Sequence, residues 1–275
     1  RIKKKNLKSN ISQYSMLQKN QLSLKNHQTL IKYSKKKKIK FLSTAFDEKS
    51  LKLLNRFNLD YIKIPSGEIT NYLLLKSVSK LKKKILLSTG MASVKEIRQA
   101  LNILNKKKSD ITILHCTSDY PAKSKDLNLN LINKLKKFGY NVGYSDHSSS
   151  ILTPSIAVSL GCAVIEKHFT LSKKLKGPDH KASLEPHELT LMIKYVRETE
   201  KMLGSFDKKI TSSEHKTKLQ VRKSLVALRN IKKGEIFSKK NITAKRPGTG
   251  ISAIEILKIF GKKSTINFKK DEFIK

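Results

Sequence analysis

Cysteine is scarce, with two in 275 residues. Cys116 and Cys162 each sit inside an apolar, strand-like run, at no spacing that would build a disulfide framework or a zinc site, so a reducing cytoplasm is the expected setting. Long apolar runs are also missing: no segment reads as a membrane-spanning helix, and no signal peptide opens the chain. The first residue is Arg rather than Met. The expectation is a soluble protein that lacks its N-terminal part. Acidic residues are few, 21 against 59 Lys plus Arg, for a formal net charge of +38. Such an excess raises nucleic-acid binding as a function. The scarcity of arginine argues against it. Only seven of the basic residues are Arg, and the lysines are spread through helical segments such as "SKKKKIK" and "NKLKKFG" instead of gathering in one arm. They read as decoration of solvated faces, whose field would also favour an anionic substrate.

What is present is a regular alternation of short apolar runs and helical patterns, which argues for parallel β/α units. The runs Ile39 to Thr44, Tyr61 to Pro65, Ile85 to Thr89, Ile111 to Cys116, Val142 to Ser145 and Ala163 to His168 are expected to be strands. Helices are expected over Lys49 to Asn58, Leu73 to Lys82, Val94 to Lys106, Asn128 to Phe138, Ser150 to Ser159 and Pro186 to Met202. Each strand ends in a polar cluster: "STAFD", "KIPSGE", "STGM", "HCTSDYP", "YSDHS" and "EKHF". In a barrel of parallel strands the C-terminal ends converge on the face that carries the chemistry. An open doubly wound sheet gathers its ligands at strand C-termini too. A closed (β/α)8 barrel lacking its first two units fits the count of six strands better. Residues 1–204 are thus expected to form an incomplete TIM barrel. Residues 205–218, polar and Ser-rich, read as a linker. Residues 219–275, with short β-rich runs, a turn at Lys232 to Glu235 and a Gly/Pro loop at Arg246 to Gly250, read as a small β domain.

The chemistry concentrates at the strand tips. His147 and His168 end neighbouring strands, where both can reach one mouth; Glu166 shares the face of His168 by period two, and Lys167 faces the other way. Two neutral imidazoles with open positions beside them suit a divalent metal that also takes an oxygen substrate. Lys63 precedes Ser66 and Glu68, which flank Gly67; Ser88 and Thr89 lead into Gly90; Ser145 stands two residues before His147. Hydroxyls, an ammonium and free backbone N–H groups make a cradle for phosphate and carboxylate.

Taken together, "KIPSGE", "LLSTGM", "HCTSDYP", "GYSDHS", "EKHFTL", "KGPDHKASLEP" and "KRPGTGIS" resemble the sialic acid synthase family, the N-acetylneuraminate, legionaminate and pseudaminate synthases. The motifs occur in order from about residue 22 to the end. The resemblance implies a TIM barrel joined to an antifreeze-like (SAF) β-clip domain. It also implies condensation of phosphoenolpyruvate with the open-chain aldehyde of an N-acylated hexosamine, either N-acetylmannosamine or a diacetamido-trideoxyhexose, in a domain-swapped homodimer.

Carried over motif by motif, His147 and His168 hold the metal, with Mn2+ favoured over Mg2+ or Co2+. Thr44, Lys63, Ser66, Ser88 and Ser145 contact phosphoenolpyruvate. Glu68 is the carboxylate beside the reacting carbons, Tyr120 and Asp179 bind the sugar, and Arg246 reaches the site from the partner subunit. Ser118 stands where several neuraminate synthases place Asn, a departure that bears on sugar subtype. The family's opening "EIGxNHxG"-type motif and its second-strand lysine are absent. A Schiff-base aldolase using Lys63 or Lys167 is the rival in another reaction class; a basic nucleic-acid-binding protein is the rival outside enzymes.

Overall fold

A computed structural model of the chain describes residue 18 and residues 21–275 apart from residue 178. The chain divides into two units, Arg1–Gly204 and Ser205–Lys275. In the first, β1 (Tyr61–Ile64), β2 (Lys84–Ser88), β3 (Ile111–Cys116), β4 (Asn141–Asp146) and β5 (Val164–Lys167) form one sheet in chain order, every neighbouring pair parallel. The helices α1 (Leu24–Lys36) and α2 (Glu48–Asn55) precede it. The strands alternate with α3 (Tyr72–Ser79), α4 (Val94–Leu104), α5 (Leu131–Lys136), α6 (Thr153–Ser159) and α7 (Pro186–Leu203).

Alternation along the strands sorts the two faces. Ile62, Ile64, Ile85, Leu87, Ile111, Ile113, Val142 and Tyr144 point to the core, where Leu51, Leu75, Ile97, Leu101, Ile132 and Leu135 of the helices meet them. Each such side chain contributes about 1.5–3 kcal/mol on leaving water. Stability therefore resides on the helix side of the sheet, and the opposite face is free to carry Lys63, Ser88, Cys116, Ser145 and Glu166. The helices begin on sequence signals: Asp47 caps α2, and capping boxes open α4 (Ser93 with Glu96) and α7 (Glu185 with Glu188).

Two expectations need correction. The run Ile39 to Thr44 is not a strand; Thr44 alone pairs, as a single parallel bridge to Lys63. Lys38 takes a left-handed conformation (φ 57°) and Ile39 is 68% exposed. Among the described residues it has a neighbour on one side only, so few ladder hydrogen bonds offset the entropy of ordering it. The sheet thus has five strands, a parallel half-barrel with β1 and β5 at its edges among the described residues. Likewise the stretch 205–218, expected to be a linker, runs into a helix, α8 (Ser212–Val221), which Thr211 and Glu214 open with a capping box. Among the described residues no helix is long and apolar enough to cross a membrane.

Beyond α8, the second unit pairs β6 (Ser224–Ala227) with β7 (Ile242–Lys245) antiparallel, adds isolated bridges and a short helix, α9 (Ile256–Ile259), and packs a core of Leu225, Ala227, Ile231, Phe237, Ile242, Phe268 and Ile274.

Candidate active site

Strand register assembles the site. Cys116, Ser145 and Glu166 are successive Cα partners across β3, β4 and β5, so a thiol, a hydroxyl and a carboxylate lie side by side at the strand ends. Lys63 on β1 reaches across the mouth to Glu166: its Nζ lies 2.7 Å from Oε1 and 2.8 Å from Oε2. Burial pushes the Glu166 carboxyl up, but the adjacent Lys63 ammonium, its hydrogen bonds and the Ser145 hydroxyl outweigh that and hold it below the ordinary carboxylate value. Thr44 joins the cradle through its bridge to Lys63.

After β1 the chain makes a short 3-10 turn, Ser66–Glu68. Ser66 Oγ accepts from the Gly90 backbone N–H at 3.0 Å, and the Asn71 amide donates to Glu68 Oε2 at 2.7 Å. Gly90 lets the backbone approach closely: a Cβ there would stand 2.1 Å from Ser118 Oγ and 2.9 Å from Ser66 Oγ, so any side chain would displace both hydroxyls. Ser88 is 2% exposed, with no hydrogen-bond partner for its hydroxyl among the described residues. A buried hydroxyl without a partner costs roughly 1–3 kcal/mol, which a ligand oxygen would recover. Thr89, by contrast, is committed to structure: its hydroxyl donates to Leu114 O at 2.9 Å.

The two histidines meet where the sequence places them, their ring centroids 5.3 Å apart. His147 Nδ1 lies 2.7 Å from the Thr117 carbonyl. That oxygen can only accept, so Nδ1 carries the proton and Nε2 keeps its lone pair. Burial, first among the causes, lowers the basicity of both rings; Thr117 opposes it at His147, and Asp179, with Oδ2 4.0 Å from Nδ1, opposes it at His168. Tyr120 packs over both, its ring 4.2 Å from that of His147 and 5.5 Å from that of His168. Chiefly by burial, then by the charges near it, the Tyr120 hydroxyl is pushed up to about 12 and stays a neutral donor.

Whether these groups suit a divalent cation turns on the donor set. Two neutral imidazoles, one of them oriented by a backbone carbonyl as metal-binding histidines usually are, fit such an ion. Among the described residues no set of three or more His, Cys, Asp and Glu side chains closes around one point. An ion held by this pair would take its remaining ligands from elsewhere, as in open sites.

Of the residues singled out in the sequence, the first unit gathers Thr44, Lys63, Ser66, Glu68, Ser88, Ser118, Tyr120, Ser145, His147, His168 and Asp179 about the strand ends. Arg246 belongs to the second unit, where its Nε donates to Val221 O at 3.0 Å. Lys167 is turned away, paired with Asp146 on the other face. Sequence reasoning assigned no role to Glu166 or Cys116. The period-two alternation puts Glu166 beside His168, and that is the signal by which it could have been found.

A parallel β/α sheet that gathers its polar side chains at the C-terminal strand ends is the arrangement in which β/α barrels carry their chemistry. The chain belongs to the NeuB family, the sialic acid synthase family; that family's model matches residues 1–208, and a SAF domain matches residues 222–275. It is similar to the N,N'-diacetyllegionaminic acid synthase of Campylobacter jejuni subsp. jejuni serotype O:2, 53% identical over 268 residues, covering 96% of this chain and 80% of the relative. The enzyme of the same name from Legionella pneumophila subsp. pneumophila is 40% identical over 270 residues, covering 96% of this chain and 76% of the relative. Among solved structures, the N-acetylneuraminic acid (sialic acid) synthetase of Leptospira borgpetersenii serovar Hardjo-bovis, in complex with citrate, aligns with a TM-score of 0.70 and 36% identity. That alignment covers 74% of this chain and 71% of the other.

Proposed function

We propose that this protein makes a nonulosonic acid by condensing phosphoenolpyruvate with the open-chain aldehyde of an N-acylated hexosamine, releasing phosphate. The observation that carries the reading is the single mouth shared by an anion cradle and two histidines with lone pairs to spare. The names of its relatives favour a diacetamido-trideoxyhexose as the sugar over N-acetylmannosamine.

Lys63, Ser66, Ser88 and Ser145 hold the phosphoenolpyruvate carboxylate and phosphate, with Thr44 and Ser118 at the rim, so that C3 faces the aldehyde; most of their effect is positioning. Held by His147 and His168, Mn2+ (or Mg2+ or Co2+) supplies Lewis acidity toward the aldehyde. Tyr120 and Asp179, beside the histidines, orient the sugar. Carbon–carbon bond formation leaves C2 electron-deficient; water adds there, the C2–O bond to phosphate breaks, and the ketone forms. Glu68, one oxygen held by Asn71, serves that step by steadying the cationic carbon or aligning the water. Closing five strands into an eight-stranded barrel takes further β/α units, and Arg246 offered by a partner's second unit in a homodimer would complete the sugar site.

The aldolase alternative loses ground on geometry. Lys63 is held by both oxygens of Glu166, and Lys167 is buried behind the sheet. Borohydride trapping with pyruvate should give no adduct at either lysine. Chelation should abolish phosphate release, Mn2+ should restore it, and His168→Ala should lose at least about 100-fold in rate while keeping its melting temperature. Full activity in that variant, or a trapped lysine adduct, would contradict the proposal.

A further inference from the structure

A polar cluster that the reaction does not use lies behind the two histidines. Asp146 and Lys167 are Cα partners in the β4–β5 register, one residue before His147 and His168 respectively. Alternation sends Ser145, His147, Glu166 and His168 to the mouth, and Asp146 and Lys167 to the opposite face. There the pair is out of solvent, with side-chain exposures of 0% and 3% and Nζ 2.6 Å from Asp146 Oδ2. Its hydrogen bonds are complete. Lys167 also donates to the backbone carbonyls of Ser148 and Ser150, so all three ammonium protons are taken. Asp146 also accepts from Thr153 Oγ1 at 2.6 Å, Ser148 N at 2.8 Å and Tyr144 OH at 3.2 Å.

A buried ion pair is a poor source of stability, since apolar residues of similar volume often do as well or better. What apolar residues lack is direction. Three donors on one nitrogen tie the end of β5 to the end of β4 and to two carbonyls of the loop after it. The residues following this knot on each strand are the histidines. We propose that the Asp146–Lys167 pair is a positioning device for the metal site, fixing the separation and orientation of His147 and His168 so that both present nitrogens to one ion. The inference rests on the reading of those histidines as metal ligands.

The test is a MnCl2 titration of the full chain, with free Mn2+ followed by electron paramagnetic resonance and a thermal melt on each sample. Asp146→Leu combined with Lys167→Met removes the directional bonds without leaving a buried charge unpaired. The Thr153 and Tyr144 hydroxyls and the Ser148 N–H lose their acceptor in this double variant, so it should melt lower than the original chain and, folded, bind Mn2+ roughly 10- to 100-fold more weakly, the usual scale for lost outer-shell support. Thr153→Val, which deletes one anchor of Asp146 and is the milder change should the double variant not fold, should weaken Mn2+ binding by a smaller factor at near-unchanged melting temperature. Unchanged affinity in whichever of these variants folds would overturn the inference alone. An original chain that binds no Mn2+, or that binds it equally well after His147→Ala, would overturn the metal reading and the inference with it.

Discussion

Lys63 and Glu166 lie 103 residues apart in the chain and 2.7 Å apart in the site. A sequence reading can place each on the correct face of its strand but cannot see a pair of that range. Glu166 is the anion that Lys63 holds, and under the proposed function it competes with phosphoenolpyruvate for that ammonium. Glu166→Gln should therefore tighten phosphoenolpyruvate binding in a sugar-free titration by roughly two- to fivefold, the scale of a partly screened ion pair; weaker binding would mean that Glu166 supports the cradle instead of competing with it. Gly90 makes the opposite case. Its place in "STGM" was legible, its reason was not, because the close approach is to Ser66 and Ser118 from the loops after two other strands. Gly90→Ala should raise the KM for phosphoenolpyruvate by about tenfold or more with the fold retained, and an unchanged KM would remove Ser66 and Ser118 from the cradle.

At the scale of elements, what could be read was what local chemistry decides. Five apolar runs became strands and the pattern from Pro186 became α7, because a core face buried on every second or every third to fourth residue leaves a periodic trace. Ile39 to Thr44 carries the same trace and fails for want of neighbours, which no local pattern reports. Helix α8 was missed for the reverse reason: none of its residues is buried, so its one signal was the capping box at Thr211 and Glu214. In the second unit, Glu235 ties a turn together. Its carboxylate takes hydrogen bonds from the Arg229 guanidinium, the Asn241 amide and the Lys232 backbone, which together draw its pKa down to about 2 from an ordinary 4.5. A depressed carboxylate stabilises the fold above its unfolded pKa and loses that contribution as pH falls through its folded one. Glu235→Gln should thus lower the melting temperature at neutral pH, and the gap to the original chain should close between about pH 4.5 and pH 2. A gap that stays constant over that window would show that the carboxylate charge does not stabilise the turn.

For the molecule as a whole, the charge of +38 and the chemistry point the same way. The proposed substrate, charged at both its carboxylate and its phosphate, would be drawn toward such a cationic surface. The central claim is that this mouth joins phosphoenolpyruvate to a sugar aldehyde by breaking the C–O bond, not the P–O bond. The measurement that reaches it most directly uses phosphoenolpyruvate labelled with 18O at the bridging oxygen, given to the protein with Mn2+ and an N-acylated hexosamine. The account predicts phosphate release only when the sugar is present, with the label carried away in the phosphate. Release without sugar, or label retained in the organic product, would contradict it.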